Sequence, residues 1–241
     1  MRVRLPRWAG GLGIAVLMGL AYYTGGAVSA AATRPARVVT AVPIAEKAVA
    51  LTFDDGPTPT WTPKILALLK EYHVPATFFV IGKQATRYPF LVQDEVKQGM
   101  EVGNHGAAHI LLRGRSEAAM RQEIETAAQA IEAAGAPTPT LYRMPAGVYD
   151  RGALSVLGSL GYTVVGWSVD PRDWRHKLTA EQMTAIVKKQ AGPGAIIIFH
   201  DGTNGSAATV DAVGRVIRML KSEGFTFKTV TGLLKMVKGR L

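Results

Sequence analysis

Strand-like and helix-like segments alternate about seven times between residues 48 and 237 of this 241-residue chain, without a long break. Continuous apolar runs at residues 78–81 and 195–199 are typical of strands that are covered on both faces. Because parallel strands are joined by crossover helices, the alternation indicates a parallel sheet wrapped in helices. At this length the pattern predicts an α/β fold, a distorted (β/α) barrel with about seven parallel strands.

The first 32 residues have the order of regions found in an export signal. Arg2, Arg4 and Arg7 precede an apolar run over residues 8–23, and small residues follow to Ala32. This order is typical of a secretory signal peptide, and an uncleaved N-terminal membrane anchor is the alternative. In either case we expect the rest of the chain to work outside the cytoplasm, extracellular or attached to the cell wall or membrane.

The domain boundaries follow from this leader. We expect residues 1–32 to be the signal peptide or anchor, residues 33–46 to be a linker containing Pro35 and Pro43, and residues 47–241 to form one domain. Contact with a membrane is expected only through the N-terminal segment, if it is retained.

Net charge and cysteine content limit the kinds of binding partner and metal site that the chain can have. The formal net charge of +10 suits an anionic partner such as an acidic cell-wall polymer. The sequence has no tight Lys/Arg run with interleaved aromatic residues, which argues against nucleic acid as the partner. It also has no cysteine, which excludes disulfides and cysteine metal sites.

Ionisable residues follow the carboxyl ends of the predicted strands. In order along the chain they are Asp54 and Asp55, His105 and His109, Arg143, Asp170 and Asp173, and His200 with Asp201. In (β/α) barrels the active site lies at this end of the strands. The sequence therefore predicts one polar site at one rim of the barrel.

Two of these pairs point to a metal. Asp54 and Asp55 are adjacent carboxylates, which repel each other unless a cation or a proton lies between them. His105 and His109 have the i, i+4 spacing that lets two imidazoles share one ion. Two histidines and one carboxylate leave an open coordination position, as a catalytic metal needs. A plain turn at Asp55-Gly56-Pro57 is the alternative interpretation of the acidic pair.

Five motifs in a fixed order resemble the polysaccharide deacetylase family, the NodB-homology domain of carbohydrate esterase family 4. The resemblance covers residues 48–237, nearly all of the chain after the leader. The motifs are Thr52-Phe53-Asp54-Asp55-Gly56, His105-x-x-x-His109, Arg143-x-Pro145-x-Gly147, Asp170-x-x-Asp173-Trp174 and Ile198-x-His200.

The resemblance implies a role for each matching residue. Asp55, His105 and His109 would bind a divalent metal, commonly Zn²⁺, with Co²⁺ or other ions as alternatives. The remaining roles are Asp54 as general base, His200 as general acid, Arg143 as partner of Asp54, Asp173 as partner of His200, the backbone N–H of Ala146 in the oxyanion site, and Pro145 and Trp174 in substrate binding.

The sequence departs from the family pattern at two of these loops. Gly106 stands where the family usually has Ser or Thr, and Ala146 stands where an aromatic residue is common. Neither change removes a catalytic group. Trp174 is open to either sugar stacking or rim packing, whereas Trp167 lies inside a predicted strand and is expected in the core.

The function that the resemblance implies is removal of N-acetyl groups from an N-acetylglucosamine polymer, either peptidoglycan or a chitin-like oligomer. One alternative is an esterase that removes O-acetyl groups from a polysaccharide such as xylan. Another is a non-catalytic wall-binding module, which would lack a base, an acid or a metal ligand.

Overall fold

The computed structural model describes residues 34–238, so the predicted signal peptide or anchor over residues 1–32 lies outside the described residues. Within the described range, no helix is both long enough and apolar enough to cross a membrane.

A parallel sheet forms the centre of this domain. Seven strands are paired in the order β1-β6-β5-β4-β3-β2-β7, and β8 pairs with the start of β2. Every pairing between these strands is parallel. The strands are β1 (Val38–Val39), β2 (Ala48–Asp54), β3 (Thr77–Val80), β4 (Glu101–Asn104), β5 (Leu141–Tyr142), β6 (Thr163–Val165), β7 (Ile196–His200) and β8 (Thr226–Phe227).

The sheet curls toward closure. Two isolated bridges lie near β7: Ala41, beyond β1, pairs with Ala195, which immediately precedes β7, and Val169, beyond β6, pairs with Ile197 of β7. The predicted distorted (β/α) barrel of about seven parallel strands is therefore confirmed. Its helices are α1 (Thr62–Glu71), α2 (Gly82–Arg87), α3 (Pro89–Lys97), α4 (Glu117–Ala133), α5 (Arg151–Ser159), α6 (Ala180–Gln190), α7 (Ala207–Ser222) and α8 (Val230–Lys238).

The strand register gathers the polar residues at one rim. Asp54 is paired with Phe79 on one side and with His200 on the other. Asn104, the last residue of β4, is paired with both Val80 and Tyr142. Since all strands run in the same direction, the residues that follow Asp54, Asn104 and Tyr142 emerge at the same end of the barrel.

The predicted linker over residues 33–46 is wrong for its central part. Val38 and Val39 form β1 and pair with Val164 and Val165 of β6. Val42 is also buried, and its N–H donates to the carbonyl of Gly194. A two-residue strand is too short to show the alternation of apolar and polar residues by which strands are identified in a sequence.

One buried carboxyl group has no partner in the described part of the chain. Glu95 of α3 is fully buried, and neither of its carboxylate oxygens has a hydrogen-bond partner among residues 34–238. Burial, followed by the charges of Asp201 and Asp94, raises the pKa of Glu95 well above its ordinary value. Glu95 is therefore protonated in the folded protein over a pH range in which the unfolded chain has already ionised.

We expect Glu95→Leu to increase the free energy of unfolding, by about 1–3 kcal/mol, because an unpaired buried polar group is removed. The gain should be larger at pH 8 than at pH 5. Above pH 4.5, the ordinary pKa of Glu95, the unfolded chain loses this proton and the folded wild type keeps it, so wild-type stability falls as the pH rises. Denaturant titration at both pH values measures this.

Glu95→Gln is the matched control, since it removes the ionisation and keeps two polar atoms. The free energy of unfolding of this variant should lack the pH dependence that Glu95 causes in the wild type. It should increase by less than that of Glu95→Leu. A Glu95→Leu variant less stable than wild type at pH 8 would contradict this account of the buried carboxyl group.

Candidate active site

A pocket of about 330 Å³ opens at the carboxyl ends of the strands. Most of the residues singled out in the sequence line it, namely Asp54, Asp55, His105, His109, Ala146, Trp174 and His200. Arg143 and Asp173 lie directly behind the lining and contact it through hydrogen bonds. Pro145 is buried at the start of a one-turn 3₁₀ helix and does not line the pocket.

The backbone reverses sharply after β2. Asp55 has a φ of 72°, which turns it away from the strand direction of Asp54. A Cβ on Gly56 would lie 2.2 Å from a carboxylate oxygen of Asp201, so only glycine fits at that position. The two neighbouring acids therefore face different partners, as different chemical tasks would require.

Asp55 and the two histidines form a compact group of donors. Asp55 Oδ1 lies 3.4 Å from His105 Nε2 and 3.3 Å from His109 Nε2. This oxygen is buried and has no hydrogen-bond partner among the described residues. The other oxygen, Oδ2, accepts a hydrogen bond of 2.7 Å from Asn204 Nδ2. Asn204 thus orients the carboxylate and leaves Oδ1 facing the histidines.

These donors fit a divalent metal. A tetrahedral ion with ligand distances of about 2.0–2.2 Å places its ligand atoms about 3.3–3.6 Å apart. The spacing around Asp55 Oδ1 matches that range, and the three side chains together provide one carboxylate and two imidazoles. They would hold the ion and leave a position open for water or substrate.

His105 is held in the orientation that a ligand needs. Its Nδ1 donates to the carbonyl of Arg143 at 2.8 Å, which directs Nε2 to Asp55. Burial lowers its pKa, but the charges of Asp54 and Asp55 outweigh this and raise it overall. For Asp55 burial raises the pKa, but the proximity and charge of His105, with the charges of His200 and His109, outweigh this and lower it overall.

Asp54 is paired with a buried arginine. Arg143 Nη1 donates to Asp54 Oδ1 and to Thr52 Oγ1, both at 2.7 Å. Its other nitrogens donate to the carbonyls of Val165 and Gly166. Each guanidinium nitrogen thus has an acceptor, and the Asp54 carboxylate is held in one orientation. Asp54 Oδ2 points toward His105, 3.7 Å from Nε2.

His200 forms a separate pair on the other side of β2. Its Nδ1 lies 2.8 Å from Asp173 Oδ1, and its backbone N–H donates to Asp173 Oδ2. Burial lowers the pKa of His200, but the hydrogen bond and charge of Asp173, with Asp54 and Asp55, raise it to about 9. His200 is therefore a charged acid at neutral pH, with Nε2 as its free position.

Residues on α4 and at the end of β4 bind the loop that carries the two histidines, and no sequence motif predicts this role for them. The Glu123 carboxylate accepts a 2.7 Å hydrogen bond from the N–H of Ala108, and its carbonyl accepts from the N–H of Ala107. Asn104 accepts from the N–H of Gly106 and donates to the carbonyl of Ile124. The loop is thus braced at every residue between His105 and His109.

Two tryptophans face the pocket. Trp174 is 43% exposed and lines it. Trp167, expected in the core, lines the pocket as well. β6 ends at Val165, so Trp167 lies beyond the strand and is free to turn toward the rim. Ala146 completes this wall in a left-handed conformation, with a φ of 55°.

Comparison with known proteins identifies the family. The family model described as polysaccharide deacetylase matches residues 41–165. A peptidoglycan-N-acetylglucosamine deacetylase of Bacillus cereus is 38% identical, covering 80% of this chain and 91% of the relative. A chitooligosaccharide deacetylase of a Bradyrhizobium species is 37% identical, covering 74% and 87% respectively.

Solved structures agree with this match. The crystal structure of the Bc1960 peptidoglycan N-acetylglucosamine deacetylase has a TM-score of 0.79 to this chain at 32% identity, covering 82% of this chain and 92% of the other. The chain belongs to the polysaccharide deacetylase family, as its five motifs indicated.

We expect Asp173→Asn to lower the pKa of His200 from about 9 toward its ordinary 6.5. The substitution removes a charge that stabilises the imidazolium form, whereas an amide oxygen can still accept from the ring. Side-chain ¹⁵N NMR of His200 across pH 5–10 measures this. Asp170→Asn, in the same loop, is the control and should leave the value unchanged. An unaltered His200 titration in Asp173→Asn would contradict the pairing.

We expect Glu123→Leu to weaken Zn²⁺ binding by about tenfold, because the loop between the two histidines loses its brace. Glu123→Gln keeps an acceptor for Ala108 and should stay within about threefold of wild type. Competition with a chromophoric chelator measures the affinity. Glu125→Leu, an exposed change on the same helix, is the control. Wild-type affinity in Glu123→Leu would show that the brace is unimportant.

Proposed function

We propose that this chain is a metal-dependent N-deacetylase of an N-acetylglucosamine-containing polysaccharide. The observation that carries the proposal is one pocket in which Asp54 and His200, each with its own buried partner, flank the Asp55–His105–His109 group. The names of the relatives, which act on peptidoglycan N-acetylglucosamine and on chitooligosaccharides, support the substrate class.

The reaction needs a base on one side of the acetamide and an acid on the other. A divalent cation, when bound, polarises the acetamide carbonyl and lowers the pKa of a water molecule. The Asp54 carboxylate, oriented by Arg143, accepts the proton that this water loses as its oxygen bonds to the carbonyl carbon. We assign to the backbone N–H of Ala146, a residue of the pocket wall, the role of donating to the carbonyl oxygen as it gains negative charge.

Cleavage of the carbon–nitrogen bond requires protonation of the departing amine. His200 holds a proton at neutral pH because Asp173 raises its pKa to about 9. Its Nε2 donates that proton to the nitrogen as the bond breaks, and the products are acetate and a free amino sugar. Asp54 then loses its proton to solvent, His200 regains a proton from solvent, and the acetic acid that is formed ionises to acetate, so the site is restored.

The His200–Asp173 pair favours amide over ester cleavage. An alkoxide leaving group of an O-acetyl ester departs with less help than an amine anion, so an ester site has less need of such an acid. The polysaccharide O-acetyl esterase therefore remains the second candidate. A non-catalytic wall-binding module is disfavoured because the base, the acid and the three metal donors are all present.

The setting of this activity is also part of the proposal. We place the enzyme outside the cytoplasm, because of the predicted export signal, and on an acidic cell wall, which the net charge of +10 suits. Zn²⁺ is the proposed ion, because one carboxylate and two imidazoles form the usual catalytic zinc set.

We expect the protein with added Zn²⁺ or Co²⁺ to release acetate from chitooligosaccharides or peptidoglycan, and a chelator to abolish the release. Asp54→Asn should lower kcat by about 10²-fold or more and still bind metal, because Asp54 is the base and not a ligand. Asp211→Asn, an exposed change on α7, is the control.

Acetylxylan serves as the competing substrate in the same assay. Release from acetylxylan alone would favour the esterase. Release from none of the substrates, with metal bound, would favour the binding module. Release that survives complete removal of metal would overturn the mechanism.

A further inference from the structure

The loop after β6 carries a group of basic side chains on either side of Trp174, which lines the pocket. Arg172, Arg175, His176 and Lys177 lie within six residues of one another, and all four are exposed. The acids of the same loop do not pair with these side chains, since Asp173 pairs with His200 and Asp170, which lines the pocket, accepts from the backbone N–H of Arg172. Within residues 34–238, none of the four basic side chains forms an ion pair.

Arg175 is the member of this group that is tied to the pocket. Its guanidinium lies 4.9 Å from the centre of the Trp174 ring, in a cation–π contact. Trp174 itself lines the pocket and is 43% exposed. Both residues belong to a one-turn 3₁₀ helix, Asp173–Arg175, whose first residue holds His200. The position of Arg175 is therefore coupled to the position of the proposed acid.

An indole face beside a guanidinium suits one kind of sugar. The apolar face of a pyranose stacks on an aromatic ring, and a guanidinium donates two parallel hydrogen bonds to a carboxylate. A chitin-like chain is neutral and has no carboxylate that could accept these two hydrogen bonds. A glycan that carries carboxylates on the substituents of its sugars, as peptidoglycan does, offers a matching partner next to the stacked ring.

We propose that Arg175 is a specificity-determining residue, which binds a carboxylate of the glycan beside the sugar stacked on Trp174. This inference rests on the proposed deacetylase function and narrows its substrate to a carboxylate-bearing glycan. The charge of the whole chain does not give the same result, because it raises affinity for any polyanion wherever it binds. Arg175 acts at the pocket, on the substituents of the substrate itself.

A matched control lies on α6. Lys188 is exposed in the last turn of that helix and is not among the residues that line the pocket. Lys188→Gln removes the same charge as Arg175→Gln and leaves the mouth of the pocket intact. The two variants therefore separate a local contact from the effect of net charge.

The experiment compares kcat/KM for three tetrasaccharides with Zn²⁺-loaded protein. They are an alternating N-acetylglucosamine–N-acetylmuramic acid chain with free carboxylates, the same chain with its carboxylates converted to methylamides, and neutral chitotetraose. Wild type and Lys188→Gln should prefer the free acid to the methylamide. Arg175→Gln should reduce that preference by about fivefold, the upper range for an exposed ion pair, with a smaller loss on chitotetraose than on the free acid.

Each outcome decides between the claims. Acetate release from all substrates, with the same acid-to-amide ratio in wild type and Arg175→Gln, overturns the role of Arg175 and leaves the deacetylase function standing. An equal loss on chitotetraose shows that Arg175 supports Trp174 rather than a carboxylate, and it overturns the proposal as well. Release from none of the substrates overturns both the deacetylase function and the inference built on it.

Discussion

The buried guanidinium of Arg143 connects most of the site to the barrel. It donates to Asp54 and Thr52 of β2 and to the carbonyls of Val165 and Gly166 at the end of β6. The carbonyl of the same residue accepts from His105. The side chain of Arg143 thus orients the proposed base Asp54, and its backbone carbonyl orients His105, a proposed metal ligand. Breaking such a buried ion pair by removing one partner lowers the free energy of unfolding by about 3–5 kcal/mol. Loss of Arg143 should therefore disturb the orientation of both Asp54 and His105.

Carboxylates outnumber permanent cations around this centre, which favours the bound cation that we propose. Asp54 has Arg143 and Asp173 has His200, but Asp55 Oδ1 has only the two histidines. Behind them, burial raises the pKa of Asp201 to about 7, and the charges of Asp55 and Asp54 add to the shift. A divalent ion bound at Asp55 would offset this negative charge and lower the pKa values of the surrounding acids. Metal binding and the ionisation of these acids would therefore be linked.

The rim residues could be predicted from the sequence because the carboxyl ends of parallel strands all lie at the same rim of the barrel. Asp54 and His200 each follow a largely apolar run, and such runs are readily recognised, whereas His105 follows a short predicted strand at residues 100–103. Glu123 and Asn204 could not be predicted in this way, because each comes from an element or loop without a motif and meets the site only through tertiary packing. The two-residue strand at Val38–Val39 was missed for a different reason, since it is shorter than any periodic pattern.

The departure at Gly106 shows how the structure replaces a missing hydroxyl. Gly106 has a φ of 82°, a conformation that favours glycine, and a Cβ there would lie 2.9 Å from Glu123 Oε1. The lack of a side chain lets the Glu123 carboxylate approach the loop closely enough to accept from the N–H of Ala108. The brace therefore comes from α4 rather than from within the loop. Helix α4, which carries Glu123 and is capped at Ser116, packs against β4. The geometry of the two histidines therefore depends on this packing.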